Sequence, residues 1–316
     1  MKTSMIVAQY IEFRRSLGVR FQAEAAILRN FCKAVNALDI TDVDPQSVRM
    51  FLDGTRPVTA YWFSKYYALN AFYRFAIGRG HVVSSPLPRV LPGKPKDFEP
   101  YIYTREEVRR LLAETTELDY QDNPLRAAVF RTLILLLYGA GLRISEALDL
   151  ELEDVDLSSG LLTIRETKFY KTRLVPISPQ LTTAMQAFSG ERLRLAPPSS
   201  DSARFLVTRI QPALRCDYAS RIFRRLRSRA GIRRRRNARY QPRLHDLRHT
   251  FAVHRLISWY REGADVQRLL PQLSTYLGHV QIASTQRYLT MTSELLQEAG
   301  HRFELYALQE AHHAQG

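Results

Sequence analysis

The chain has 316 residues, 45% of them hydrophobic, which is enough for real cores in two domains and excludes a disordered chain. The 46 Lys and Arg against 31 Asp and Glu leave a net charge of +15, which points to a polyanionic partner, nucleic acid first. The two cysteines, Cys32 and Cys216, supply neither a disulfide framework nor a CxxC metal spacing.

In chain order, residues 1–80 read as helices. Ile6, Tyr10, Phe13 and Leu17 fall at helical spacing, as do Ala26, Leu28, Phe31 and Val35. A short helix is expected over Pro45 to Leu52 and a longer one from Val58 to Ile77. The N-terminal apolar run is too short for a signal peptide. Residues 1–95 carry 13 Lys and Arg against 6 Asp and Glu. A basic helical bundle of this kind suits a clamp on a duplex as well as a scaffold with a solvated face. Lys65 and Arg74 are its candidate DNA contacts. Residues 81–100 hold five Pro and one Gly and read as an extended linker.

The second domain, 101–316, opens with Thr104-Arg105-Glu106-Glu107, a capping box with Thr as N-cap and Glu at N3. The apolar stretch 127–142 contains Arg131 and is too short to span a bilayer, so it reads as a buried helix. It ends at Gly139-Ala140-Gly141, and a new helix starts at or near Arg143. A soluble, cytoplasmic, nucleoid-associated protein with no membrane partner is expected. Residues 161–177 change period: LLTIRE and TRLVPI are strand-like, and TKFYK between them makes a hairpin with Lys168 in its turn.

Residues 204–243 carry 14 Arg against one acidic residue, Asp217. The planar fork of arginine donates two parallel hydrogen bonds to phosphate, so this stretch is expected to meet a phosphate backbone. Arg221, Arg224 and Arg225, on a helix here, are candidate DNA contacts. In HDLRHTFAVH, His245 and Arg248 lie three apart on one helix face. Helix is expected onward to Leu277, then around Tyr288, and last from Ser293 to about 308. His301, His312 and His313 lack ligand spacing, so no metal is expected.

Cleaving a phosphodiester with a tyrosine, without metal, needs two cations on the non-bridging oxygens, help in removing the phenol proton, and an acid for the departing 5′ oxygen. Arg143, Lys168, His245, Arg248, His279 and Tyr288 supply that inventory from separate helices and one hairpin. Tyr288 is one of 16 tyrosines, so it is these neighbours that single it out.

With GAGLRISEAL around Arg143, TKFYKTRLVPI around Lys168, HDLRHTFAVH, YLGH and STQRYL in this order, the chain resembles the tyrosine recombinases, the phage-integrase and Xer-like family. The motifs cover residues 104–300. The resemblance implies a mainly α fold with a small antiparallel β-sheet. It implies a two-domain C-shaped clamp: a helical core-binding domain over 1–80, the linker, and a mixed α/β catalytic domain.

It implies that Arg143 and Arg248 clamp the phosphate and that Lys168 is the general acid, with Lys171 its competitor and a further DNA contact. His245 would act as base or phosphate ligand, and His279 would hold the scissile phosphate, either histidine being open as general base. Tyr288 would attack to give a 3′-phosphotyrosyl link. Glu146 and His249 would support the site structurally. No cofactor, metal or ATP is implied.

The implied function is site-specific DNA recombination of integrase, transposon or Xer type. The implied assembly is a tetramer on two double-stranded sites, exchanging the helix at 293–308 between protomers. The resemblance leaves room for a partner recombinase. A type IB topoisomerase-like relaxase and a DNA-binding regulator without catalysis are the alternatives. Two departures stand out: several extra residues between Arg248 and His279 relative to compact Xer-type members, and a hairpin turn without Gly.

Overall fold

The structure, a computed structural model, describes the chain except residues 20, 37, 56–57, 94–98, 119–124, 166–171, 198–199, 201–202, 209–212, 235–237, 239 and 314–316, together with the side chains of 302 and 305–313. The chain divides into two units, Met1–Phe98 and Glu99–Gly316. The first unit contains α1 (Thr3–Ser16), α2 (Gln22–Ala34), α3 (Pro45–Asp53) and α4 (Ala60–Gly78). The core of this unit is rich in aromatics: Tyr10, Phe31, Phe72 and Tyr73 are almost completely buried, and the Tyr10 ring meets those of Phe21, Phe72 and Phe75. Val82 and Leu87 pack on this core, so the first part of the Pro-rich stretch rests on the helices rather than standing away from them.

Helix α3 shows why its residues sit where they do. Asp44 caps its N-terminus, accepting from the Ser47 backbone N–H at 2.8 Å, and Pro45 occupies the first turn, where no N–H is needed. Its C-terminal carbonyls are closed from α4. Lys65 donates Nζ to the carbonyls of Phe51 and Leu52, and Trp62 donates Nε1 to Asp53 at 2.8 Å. This corrects the reading of Lys65 as a DNA contact. It is 8% exposed, and burial pulls its pKa down. A cation that satisfies two orphan carbonyls of a helix end is structural. Arg74, on α4, is exposed.

In the second unit, α5 (Arg105–Ala113) begins with the expected capping box: Glu107 N–H donates to Thr104 Oγ1 at 3.1 Å, and Thr104 N–H donates to Glu107 Oε2 at 2.9 Å. Next come α6 (Arg126–Gly139) and α7 (Ile144–Asp149). Helix α6 is buried nearly all round, with Arg131 at an exposed position. Strands β1 (Val155–Asp156), β2 (Leu161–Ile164) and β3 (Arg173–Pro176) form an antiparallel sheet in that order. The β2–β3 hairpin is the one expected, with Leu162 opposite Val175 in the core; its turn lies outside the described residues, and so do Lys168 and Lys171.

The remaining elements are α8 (Pro179–Leu195), α9 (Cys216–Arg229), α10 (Asp246–Arg261), α11 (Val266–Leu277), α12 (Ala283–Gln286) and α13 (Ser293–His313). One helical stretch was expected from His245 to Leu277. It is two helices, because Gly263 turns the chain at φ +70° and Asp265 caps a new start, accepting from Arg268 N–H at 3.1 Å. Tyr288 lies on a 3-10 turn, Arg287–Thr290, between α12 and α13. The fold is mainly α with a small antiparallel sheet, as expected. Among the described residues no helix is long and apolar enough to cross a membrane.

Lys65→Ala is expected to lower the stability of the first unit by about 1–3 kcal/mol, since it leaves two helix-end carbonyls without their donor. Arg74→Ala should change it by less than about 0.5 kcal/mol. Urea unfolding followed by Trp62 fluorescence, in a Trp259→Phe background, checks both.

Candidate active site

A single carboxylate organises the centre of the second unit. Glu146, on the first turn of α7, accepts from the Arg143 backbone N–H at 2.8 Å and from Arg143 Nη1 at 2.6 Å. Arg173, on β3, donates to both its oxygens, at 3.0 and 2.9 Å. Arg248, on α10, approaches the same group at 3.7 Å. Burial pushes the Glu146 pKa up, but the hydrogen bond and charge of Arg173, with Arg143 behind them, overcome this and hold it down at about 2.

The same three arginines close the C-terminus of α11. Arg173 Nε donates to Tyr276 O at 3.0 Å, Arg248 Nη2 to Leu277 O at 2.5 Å, and Arg143 Nη2 to Gly278 O at 2.8 Å. These are carbonyls that a helix end leaves unpaired, at the negative pole of its dipole. Gly278 is required here. Its φ is +66°, and a Cβ would lie 2.8 Å from Arg173 Nη1. Gly141 serves the other side of the site. Its φ is +62°, a Cβ would come within 2.5 Å of the Phe251 ring, and its carbonyl accepts from Arg248 Nη1 at 2.6 Å.

The histidines gather on this frame. His279 follows Gly278 directly, and its Nδ1 meets the fully buried Thr285 hydroxyl at 2.8 Å, which leaves Nε2 as its free ring nitrogen. His245 precedes α10 and His249 lies on it, their rings edge to face at 5.1 Å. Burial, and then the surrounding positive groups, lower all three imidazoles: His245 and His279 to about 4 and His249 to about 3. All three are therefore neutral at neutral pH. Arg248, 2% exposed, is lowered by burial only to about 10 and keeps its charge.

The Tyr288 ring is 2% exposed and belongs to an apolar cluster with Phe251, Leu256, Leu273 and Leu295. Its hydroxyl points back to the site, 3.0 Å from His249 Nδ1, and its ring lies 6.1 Å from that of His279. Burial raises its pKa, against the opposing charges of Arg248, Arg143 and Arg287 and a hydrogen bond with Arg248. The group is a neutral phenol at neutral pH.

Arg143, His245, Arg248, His279 and Tyr288, read from separate motifs, thus meet around one point, together with Glu146 and His249. Arg221, Arg224 and Arg225 lie exposed on α9. Their neighbours Arg227 and Arg229 are committed to protein partners, the Pro242 carbonyl and the Glu114 and Glu117 carboxylates. Arg173 and Thr285 were not foreseen. Arg173 had a signal: it lies on the same strand face as buried Val175, and a cation at an inward position needs a carboxylate. Among the described residues no group of three or more His, Cys, Asp or Glu is arranged to hold a metal ion.

Comparison with known proteins identifies the family. The model of the phage integrase family matches residues 102–294. A protein named as an integrase/recombinase, y4rB of Sinorhizobium fredii, is 34% identical over 94% of this chain and 96% of its own length. Tyrosine recombinase XerA of Thermococcus kodakarensis is 33% identical over 75% of this chain and 73% of its own. Among solved structures, the Tn1549 transposon integrase in complex with transposon right end DNA covers 97% of this chain and all of its own at TM-score 0.69 and 18% identity. A lambda integrase tetramer bound to a Holliday junction covers 91% of this chain and 77% of its own at 0.64 and 13%. At these identities the two structures speak for the fold.

Glu146 sits below the ordinary 4.5 in the folded chain. Its contribution to stability is complete above about 4.5 and is lost as the pH falls through about 2. Glu146→Gln should cost about 3–5 kcal/mol at pH 7, because three arginines lose their shared counter-charge. It should also flatten the acid limb in that window, read by urea denaturation from pH 7 to 2.5. Gly278→Ala should destabilise by about 1–3 kcal/mol through backbone strain and the displaced Arg173.

Proposed function

The chain belongs to the phage integrase family of tyrosine recombinases, and on that premise we propose that it is a site-specific DNA strand-exchange enzyme with Tyr288 as its nucleophile. The observation that carries this reading is the convergence of Arg143, Arg248, His245 and His279 on the surroundings of the Tyr288 hydroxyl, from elements far apart in the chain.

In this reading the scissile phosphate sits over Arg143 and Arg248. Both guanidiniums are fixed by protein carbonyls and keep further N–H donors for non-bridging oxygens. Because the frame is already in place before DNA arrives, the charge that builds on the pentacoordinate phosphorus meets prearranged donors. His245 and the free Nε2 of His279 add neutral hydrogen bonds.

Tyr288 attacks phosphorus and a phosphotyrosine bond forms to the 3′ side. The 5′ oxygen leaves and takes a proton from Lys168, with Lys171 as the competing donor. A 5′ hydroxyl from another strand then reverses the step. One phosphodiester is exchanged for another ester of similar energy, so the cycle needs neither nucleotide hydrolysis nor a metal.

Duplex binding is assigned to the exposed Arg221, Arg224 and Arg225 and, in the helical unit, to Arg74. Both units thus carry exposed arginines that would meet the phosphate backbone. Strand exchange between two sites calls for four protomers. Helix α13 suits a docking role: Leu295 anchors its start on α10, with Arg261 bridging to Glu294 and Glu298 at 2.8 and 2.7 Å, while Leu296 and Phe303 stay exposed. The tetramer that lambda integrase forms on a Holliday junction accords with this arrangement.

The test uses duplexes enriched from a random pool by binding to the purified protein, each nicked beside the scissile position so that the cleaved strand is lost. The native protein should form a denaturant-resistant 3′-linked adduct. Tyr288→Phe should bind the same duplexes and form none. An adduct in that variant would identify a different nucleophile, and no adduct from the native protein would leave a DNA-binding regulator.

A further inference from the structure

The hydroxyl of Tyr288 is buried, so its proton cannot pass directly to bulk water. Among the described residues two groups touch it. Arg248 can only donate, because a guanidinium has no acceptor. The other is His249, whose Nδ1 is 3.0 Å away. Neither His245 nor His279 takes that position. The nearest ring-to-ring relation of His279 to Tyr288 is a stack at 6.1 Å, and its Nδ1 is occupied by Thr285. The sequence had placed His249 among the supporting residues, beside the pair at His245 and Arg248.

We propose that His249 is the group that accepts the Tyr288 proton, so that it is a catalytic residue of this site and neither His245 nor His279 is the tyrosine's base. The proposal rests on the strand-exchange reading above and adds the proton's destination. In the resting site the neutral ring carries its hydrogen on Nε2 and receives the phenol O–H at Nδ1. This leaves the phenol lone pairs free, one toward Arg248 and one toward phosphorus.

On attack, the Oη–P bond forms, the O–H bond breaks, and the proton moves to Nδ1. The P–O5′ bond breaks and its electron pair leaves with the 5′ oxygen. On resealing, the imidazolium returns the proton to the departing phenolate, so no outside acid or base is consumed.

The electrostatics fit a base that is switched on by substrate. His249 faces Arg248, Arg243, His245 and His279, and burial with these neighbours keeps it neutral. Tyr288 faces Arg248, Arg143 and Arg287. A phosphodiester set on Arg143 and Arg248 brings negative charge beside the ring, which favours the imidazolium and strengthens the base when it is needed. His249 is held for this task because it is one residue beyond Arg248 on α10. The helix that fixes the phosphate-binding guanidinium fixes the imidazole with it.

The experiment compares native protein, His249→Asn, His249→Phe and Tyr288→Phe on a nicked duplex whose scissile phosphate carries a bridging 5′ sulfur. A thiolate leaves without protonation, so the lysine acid drops out of the rate. Asn keeps an acceptor near Nδ1 but cannot take a proton. Gel-shift affinity for the uncleaved duplex reports folding.

The native rate should be flat from pH 6.5 to 9. Both His249 variants should bind normally yet cleave about 10²–10⁴-fold more slowly at pH 7. Their rates should climb about tenfold per pH unit, as hydroxide takes over the proton. A His249→Asn rate within threefold of native, or a slow rate that stays flat with pH, would overturn the assignment. Tyr288→Phe separates the two levels. An adduct there overturns Tyr288 as nucleophile, whereas an adduct lost there and undiminished in His249→Asn overturns only the role of His249.

Discussion

The buried carboxylate of Glu146 is the constraint on which the site depends. Three guanidiniums cannot share a small, poorly solvated volume without a counter-charge, and Glu146 supplies it from the first turn of α7. Around this anion Arg143, Arg173 and Arg248 come from an N-cap, a strand and a helix. Each then has donors left over, and the carbonyls at the end of α11 take one from each. One anion and one helix terminus therefore set three long, flexible side chains in fixed directions before any ligand is bound.

Catalytic logic follows from how that frame treats protons. Positive charge beside the imidazoles, added to their burial, keeps them neutral, and the same burial keeps Tyr288 protonated. The site therefore sets fixed cations and neutral imidazoles beside a protonated phenol. On the strand-exchange reading proposed above, a phosphodiester set on these cations would shift both balances together and so tie activation to substrate binding.

Arginine and lysine in this chain do two different jobs, and the neighbourhood decides which. Arg192, 3% exposed, donates to the carbonyls of Phe205 and Arg204, and Lys65 closes the end of α3. Arg221 and Arg224 point outward on a helix whose opposite face is core. A charge count treats all of these alike. Only those without a carbonyl or carboxylate in reach remain for a polyanion, so the surface available to DNA is smaller than the net +15 suggests.

The sequence by itself determined which chemical groups exist and which local segments fold. The capping box at Thr104, the helix starting at Arg143, the β2–β3 hairpin and the mainly α class could all be read from spacing and caps, because each depends on residues a few positions apart. Tertiary structure decided the rest. The break between α10 and α11, the burial of Lys65 and the counter-charge for Arg173 lay beyond local pattern. So did the pairing of Thr285 with His279 and that of His249 with Tyr288. The bonds that assemble the site run across 135 residues from Arg143 to Gly278, 103 from Arg173 to Tyr276 and 39 from His249 to Tyr288. Periodicity says which face of a helix is buried, but which partner waits there is settled only when the elements pack.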